Sequence, residues 1–488
     1  MTDWLLPTLS AAVLALGWFF IAYSVLINTS FLLLTFLAVF DFQSYLRRRG
    51  FAAYDETFAE PLAPGISILM PAHNEAAGIV EAVRAMTAMR YPDFEVVVID
   101  DGSRDDTVAE MVEAFDMVET PIVVPPVIPT HGRVLRTYLS RRGSHNVLLV
   151  CKENGGKADA LNVGINAARK GLVCMVDADS ILDPDALLHV SRPFADDPDR
   201  VVASGGVVRI ANGSTIRRGR VVDVRMPRRW LPRVQVVEYL RAFMIGRSGW
   251  SRLGGLLIIS GAFGLFRKDV LSELGGLATD CIGEDAELVV RLHRWLGDTG
   301  RDGRVVFVSE PVAWTEAPET RAVLRRQRRR WHRGLTEILA RHRGMLFRPR
   351  YGVVGWLAMP WFVAFELLAP FVEAFGFAYL ALALVLVGAE ELGWLATDLV
   401  NRDVMWILLS VSVLYALVLS LTALLVEQLS FRRYSGMRNL LISIWAAVEE
   451  NLGYRQLNAW WRIGGALEAL RDTPAEWGNM QRRGFTQR

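Results

Sequence analysis

Long uncharged runs and short apolar runs alternate along this chain, and the two kinds predict different surroundings. Leu5 to Phe40 carries no charged side chain over 36 positions, whereas a helix needs about 20 to span a bilayer. The run predicts one long tilted helix with an interfacial lead-in, or two short helices meeting near Asn28-Thr29-Ser30. It is too long for a cleaved signal peptide and lacks the basic start of one. A second apolar region extends from Gly352 to Ala389, with Glu366 and Glu373 as its only charges, and a third, Val404 to Val426, has none. The second is expected to break near Pro360 or Pro370. Asn439 to Val448 is shorter and fits an interfacial helix. Three to five spans are therefore expected. Intramembrane glutamates are costly unless they pair or face water, so helix pairing and a channel-lining role both stay open for Glu366 and Glu373.

Between Gly50 and Arg350 the apolar runs shorten. Ile66–Met70, Val96–Ile99, Val147–Val150, Leu172–Val176, Val201–Ile210 and Val305–Val308 are each bounded by turn residues. Continuous Val/Ile/Leu runs of this length predict strands buried on both faces, hence a mostly parallel α/β sheet between helices. Ala76–Met89 and Lys157–Lys170 predict helices. The expected layout is an N-terminal transmembrane region over 1–50 and an α/β domain over 51–345. A second transmembrane region over 346–460 and a tail over 461–488 follow. Arg47, Arg48 and Arg49 come directly after the first run, which places the α/β domain in the cytoplasm by the positive-inside rule. Glu390, Glu391, Asp398 and Asp403 on the later loop, against Arg432, Arg433 and Arg438 beyond the third run, give an outside loop and an inside return.

Composition agrees with this mixture. The chain has 488 residues, 52% hydrophobic and 22% charged, which is too apolar for an ordinary soluble enzyme and too charged for an all-membrane transporter. Its net charge of +2 indicates no acidic partner. Cys151, Cys174 and Cys281 have neither metal-ligand spacing nor a disulfide framework, as expected of a reducing compartment.

In a parallel α/β sheet, ligands bind beyond the carboxyl ends of the strands. The first predicted strand runs into Pro71-Ala72-His73-Asn74-Glu75, without the G-x-G-x-x-G of a dinucleotide site. The second ends in Asp100-Asp101-Gly102-Ser103, which suits hydrogen bonds to a ribose or base and equally a plain Asp/Gly turn. Leu172–Val176 ends in Asp177-Ala178-Asp179. Two hard carboxylates there suit Mg²⁺ or Mn²⁺ bridging a diphosphate. In Asn154-Gly155-Gly156-Lys157-Ala158-Asp159-Ala160-Leu161-Asn162 the glycine pair allows close backbone approach, and Lys157 can meet a phosphate or sugar oxygen or stand solvated at the surface. Gly283-Glu284-Asp285 opens a helical segment, Ala286 to Leu296. One carboxylate can be a general base, although the helix dipole alone favours acids there, and from this motif alone the capping reading is the stronger. Seven arginines fall between Arg321 and Arg333, as in a basic interfacial helix. Yet Gln327, Arg330 and Trp331 share one helix face and offer an amide, a guanidinium fork suited to phosphate and an aromatic plate. Arg328 and Arg329 lie off that face and are expected to serve the membrane.

Taken in this order, the motifs resemble the family-2 glycosyltransferases that build extracellular polysaccharides: cellulose, chitin, hyaluronan and poly-N-acetylglucosamine synthases. The resemblance covers roughly Ile66 to Trp331 plus the flanking apolar segments. It implies a Rossmann-like GT-A fold, a UDP-sugar donor, a growing glycan or lipid acceptor, and Mg²⁺ or Mn²⁺ as cofactor. Asp100 and Asp101 would contact the uridine, Lys157 would help hold the donor, and Asp179 supported by Asp177 would coordinate the metal. Asp285 would be the base of an inverting single displacement, with Glu284 its neighbour. Gln327 and Arg330 would hold the diphosphate, and Trp331 would form the acceptor platform. Ser260-Gly261-Ala262-Phe263-Gly264 matches the small-residue segment lining the acceptor site. The expected setting is the inner membrane, with contact to lipid, accessory subunits allowed and no nucleic acid.

Some features depart from that pattern. His73 stands where many relatives have Tyr, and Gly283 stands where cellulose synthases have Thr. Arg209–Arg252 is unusually basic and contains an amphipathic Val236–Ile245 expected to lie on the membrane. These differences leave the sugar open. No regulatory domain is expected after the membrane segments, hence no cyclic-dinucleotide control through this chain. Two other readings stand beside a processive synthase: a non-processive enzyme adding one sugar to a lipid, and a catalytically silent nucleotide-sugar binder. A nucleic-acid-binding membrane protein rests on the arginine cluster alone.

Overall fold

The computed structural model describes residues 5–49, 63–141, 146–217, 219–394, 399–431, 433–434 and 436–471. Asp398, Arg432 and the end of the tail, on which the loop-charge argument and the last domain assignment rest in part, lie outside them.

The strands form where continuous apolar runs can be buried from both sides. In chain order, α1 is Leu5–Arg49, β1 Ile66–Ala72, α2 Ile79–Thr87, β2 Phe94–Asp101, α3 Thr107–Ala114, β3 Met117–Glu119, β4 Val134–Ser140 and β5 Val147–Lys152. Then come α4 Lys157–Ala167, β6 Leu172–Val176, β7 Ile181–Leu182, α5 Ala186–Asp196 and β8 Val201–Ile210, followed by a small hairpin, β9 Thr215–Arg217 and β10 Arg220–Asp223. The domain closes with α6 Trp230–Tyr239, α7 Arg247–Leu253, β11 Phe263–Arg267, α8 Glu284–Thr299, β12 Arg304–Thr315 and α9 Arg321–Arg341. Ten strands make one mixed sheet in the order β3-β4-β5-β2-β1-β6-β11-β8-β12-β7. Its centre, β5-β2-β1-β6, is parallel throughout, as the buried runs predict. The sequence pattern missed β11, which enters antiparallel between β6 and β8. Its register sets Phe263 opposite Val176, so the Ser260–Ala262 segment arrives at the carboxyl end of β6, beside Asp177.

Three helical segments are long and apolar enough to cross a membrane: Pro7–Phe40, Val354–Glu391 and Arg402–Ser430. The first is one unbroken helix. Asn28 donates to the Ser24 carbonyl and Ser30 to that of Ile27, while Thr29 meets the Tyr415 hydroxyl of the third segment, so no break is needed there. The second passes through π-helical turns on either side of Pro360 before α10, Ala369–Glu391. The third is α11, Arg402–Ser430. Two shorter helices follow, α12 Met437–Glu449 and α13 Arg455–Leu470. The expected domain boundary at 460/461 falls inside α13, which packs along α9. Closeness there depends on Gly465, where a methyl would clash with the Arg329 carbonyl.

Charge pairs join the sheet domain to the apolar helices. Arg209 on β8 donates both Nη atoms to Glu427 on α11, at 2.8 and 2.5 Å, with both side chains about 1% exposed. Glu366 pairs with Arg462 at 2.9 Å and Glu373 with Arg455 at 3.2 Å, so both carboxylates of the second apolar segment are held by arginines of α13. The apolar residues of Val236–Ile245 are covered by the protein itself: Val236, Val237, Leu240, Phe243, Met244 and Ile245 are buried. Arg328 is buried against Glu238, and the half-buried Arg329 pairs with Glu468.

Removing one member of a buried ion pair strands the other charge, at a cost of about 3 kcal/mol or more. Arg209→Met and Glu427→Gln are each expected to lower the thermal unfolding midpoint sharply in detergent. The double variant Arg209→Met/Glu427→Met should recover most of the loss.

Candidate active site

The site begins with a buried lysine. Lys152 is the last residue of β5 and pairs in register with Asp101, the last residue of β2. Its ammonium, wholly buried, lies 2.5 Å from the Asp101 carboxylate and 2.9 Å from that of Asp159 on α4. Asp101 also accepts from the backbone N–H groups of Gly155 and Gly156, at 2.9 and 2.8 Å. Asp159 accepts from those of His131 and Gly132, at 2.7 and 3.1 Å. The carboxylate expected at the uridine is thus engaged in fixing the glycine loop, while Asp100 beside it accepts from the Ser103 N–H. Burial pushes the Asp100 carboxyl up, against the Ser103 hydrogen bonds that pull it down. Gly156 has φ of +87°, a conformation that glycine adopts without strain, and from it the chain turns into α4.

That turn aims Lys157 across the strand ends. Its Nζ is 2.6 Å from Asp177 Oδ1 and 3.7 Å from Glu284 Oε1. Burial works to lower the Lys157 ammonium, but Asp177 and Glu284 outweigh it and hold the group above its ordinary value. Glu284 opens α8 and is itself buried. Burial pushes its carboxyl up to about 6, with Lys157 opposing and Asp285 reinforcing; Arg330 also acts to lower it. Asp285, half-buried, accepts the Gly261 N–H at 2.8 Å. A methyl at Gly261 would lie 3.1 Å from Asp285 Oδ2 and 3.3 Å from Lys157 Nζ. Lys157, Ser260, Gly261, Glu284 and Asp285 line one small pocket.

Asp179 stands half-buried in the turn after β6, two residues beyond Asp177. Among the described residues, no group of three or more His, Cys, Asp or Glu side chains gathers as a metal cage. Two carboxylates at one strand end nonetheless fit a divalent cation that takes its remaining ligands from diphosphate and water. On α9, Gln327 is buried with its Oε1 lacking a hydrogen-bond partner among the described residues. Trp331 is 39% exposed. The Arg328 guanidinium lies 4.7 Å from the Trp331 ring centre, and Tyr239 packs beside it.

Sequence reading missed Lys152 and gave Asp159 no role. The signal was present: a lysine closing an otherwise apolar strand, level with an aspartate closing the next. Asn162 was quoted without a role as well. It exchanges two hydrogen bonds with the Leu277 backbone and so fixes the segment leading to Glu284.

Two outcomes are expected. Gly261→Ala should cut turnover several-fold, since its methyl would press Asp285 Oδ2 and Lys157 Nζ aside by a few tenths of an ångström and rate falls steeply as a reacting group is displaced, with the unfolding midpoint unchanged. Because the Glu284 carboxyl is raised, its charge is present above about pH 6 and is lost as pH falls through that value. Turnover should therefore decline on the acid side with a midpoint near 6, and Glu284→Gln should abolish that limb in a pH–rate profile.

Comparison with known proteins bears on the family and the fold. A family model described as glycosyl transferase family 2 matches residues 67–124, and one described as glycosyltransferase like family 2 matches 133–334. The chain is 30% identical over 278 residues to a poly-beta-1,6-N-acetyl-D-glucosamine synthase of Staphylococcus epidermidis, covering 57% of this chain and 56% of that protein. It is 30% identical over 277 residues to one of Staphylococcus aureus (strain COL), with the same shares. The chain thus spans about half the length of the curated relatives it matches. A mannosyltransferase from Pyrobaculum calidifontis, solved with GDP-Man and Mn²⁺, superposes with a TM-score of 0.50 at 17% identity, covering 93% of this chain and all of that one. That likeness concerns the fold, which is GT-A-like. Two family models in sequence along the α/β domain, and relatives sharing 30% of the aligned residues, make this chain a member of glycosyltransferase family 2.

Proposed function

We propose that the chain is a membrane-bound inverting glycosyltransferase that uses a UDP-sugar to elongate, and export, a β-linked polysaccharide. The observation that carries this reading is the convergence of Lys157, Asp177, Glu284, Asp285 and Gly261 at the strand ends. The exposed indole of Trp331 lies on a helix that leads into the apolar segments. Asp100 faces the nucleoside, and Lys157, Gln327 and Arg330 hold the diphosphate. A divalent cation on Asp179 and Asp177 would add positive charge beside that diphosphate. A hydroxyl of the acceptor, whose sugar ring stacks at Trp331, attacks the anomeric carbon from the face opposite the leaving group. The carbon–phosphate oxygen bond breaks with its electron pair going to the diphosphate, and the hydroxyl proton passes to Asp285. The Gly261 N–H on Oδ2 fixes that carboxylate for the transfer, as general-base chemistry requires. Arg330 and Lys157 meet the charge that develops on the leaving group. The α/β domain lies on the cytoplasmic side of the inner membrane.

Purified protein in lipid, given UDP-GlcNAc, UDP-glucose or GDP-mannose with Mn²⁺ or Mg²⁺, tests the proposal through nucleotide release and product analysis. UDP release with a polymeric product is expected. A single-sugar lipid product would point to the non-processive enzyme and overturn the synthase reading. In addition, Asp285→Asn should abolish transfer while UDP binding, measured by calorimetry, survives. Unchanged transfer would refute the base assignment.

A further inference from the structure

The face of α9 that presents Gln327 and Trp331 continues beyond the indole. Gly334, Ile338 and Arg341 follow at alternating steps of three and four residues, the spacing of a single helical stripe. This second half of the stripe lies along the segment that leads into α8. Arg341 forks the Asp280 carboxylate at 3.0 and 2.8 Å. Glu337, itself held by Arg333 at 2.8 Å, accepts the Ile282 N–H at 3.4 Å. At the end of α9, His342 meets Glu287 of α8 at 3.2 Å, and both side chains are buried. Between these contacts, bare backbone meets bare backbone at Gly334 and Gly283. A methyl at Gly334 would stand 3.2 Å from the Gly283 nitrogen and 3.3 Å from its Cα.

The two sides of this glycine pair differ in what they can tolerate. A methyl at Gly283 would meet the tip of the Ile338 side chain, Cδ1, at 3.0 Å, and such a tip can turn to another rotamer. A methyl at Gly334 would meet main chain instead. That main chain is pinned at Asp280 and Ile282 on one side and at Glu287 on the other. It can give way only by carrying the start of α8 with it, and Glu284 and Asp285 are the first two residues of that helix. About 1 Å of misplacement at a reacting group costs about a hundredfold in rate, so a few tenths of an ångström costs about fivefold.

We propose that Gly334 is a positioning residue for the transfer: its bare Cα sets the distance between the base on α8 and the diphosphate-holding side chains of α9. This rests on the glycosyltransfer proposed above. One helix then carries the donor grip, at Gln327 and Arg330, and the seat of the base, at Gly334, about two turns or 10 Å further along its axis. The leaving group and the carboxylate that takes the proton are thereby held in one frame, as a displacement between prealigned groups requires.

The test uses the full chain in lipid nanodiscs with Mn²⁺ and either UDP-GlcNAc or UDP-glucose. Gly334→Ala should lower kcat about fivefold, while the UDP Kd by calorimetry stays within about twofold of the parent and the binding stoichiometry is unchanged. A merely structural role would lower the stoichiometry with the folded fraction, and that result would overturn the proposal. Gly283→Ala should lose less, and adding Ile338→Val, which removes Cδ1, should restore it. An unchanged kcat in Gly334→Ala would also overturn the proposal. So would a UDP affinity that falls in step with kcat, because the disturbance would then lie in the donor grip. Hydrogen exchange over residues 279–287 reads the contact without turnover, and Gly334→Ala should quicken it there. Unchanged exchange would sink the positioning role whatever the activity. A parent that turns over neither donor, with exchange quickened in the variant, would sink the proposed function and keep the hold of Gly334 on α8.

Discussion

The candidate site depends on one buried ammonium. Lys152 brackets two carboxylates, Asp101 at the end of β2 and Asp159 on α4, and so ties neighbouring strand ends to the helix beyond them. Without that cation the two acids would repel each other in a dry interior. With it, their free oxygens take the N–H groups of His131, Gly132, Gly155 and Gly156. The glycine loop is fixed as a result, and a fixed loop is what carries Lys157 to Asp177 and Glu284. The charge balance at the reacting carboxylates is thus set one layer below them, by groups that need not touch a ligand. This suits catalysis by electrostatic preorganisation, in which the dipoles and charges are in place before the reaction.

The same use of arginine against carboxylate organises the joint between the sheet domain and the apolar helices. Arg209 with Glu427, Arg233 with Glu449, Arg241 with Glu450 and Arg328 with Glu238 all link segments far apart in sequence. Such pairs add little net stability over apolar packing, but they penalise any arrangement that leaves one partner alone. They therefore fix how α6, α9 and α11 meet, and so the position of Trp331 relative to Asp285. Of the arginines of α9, Arg328 and Arg329 belong to this lattice, while Arg321, Arg325 and Arg326 stay exposed.

Much of this was legible in the sequence, for physical reasons. Ile66–Met70, Val147–Val150 and Leu172–Val176 announce strands because only doubly covered strands tolerate unbroken apolar runs. Asp177 stood out because a hard carboxylate at a strand end suits a cation, whereas Glu284 and Asp285, which the helix dipole alone favours at a helix start, were singled out only through the resemblance. Less legible were β4, where Arg136 and Thr137 interrupt the apolar pattern, and β11, only five residues long with a glycine inside. The role of α13 could not be read at all. Its arginines look like ordinary surface charge until Glu366 and Glu373 are seen beside them. Lys152 carries the same lesson: in sequence it is a single basic residue, and its two carboxylate partners appear only in the fold.

The most direct test of the donor site is a structure of the chain in lipid with UDP and Mn²⁺. The predicted result places the nucleotide at the carboxyl ends of β1, β2 and β6, with the uridine beside Asp100 and the diphosphate between Asp179 and Arg330. Lys157 should turn from Asp177 toward phosphate oxygen. Nucleotide bound elsewhere, or an empty cleft with the Lys157–Asp177 pair intact at saturating UDP, would contradict the assignment.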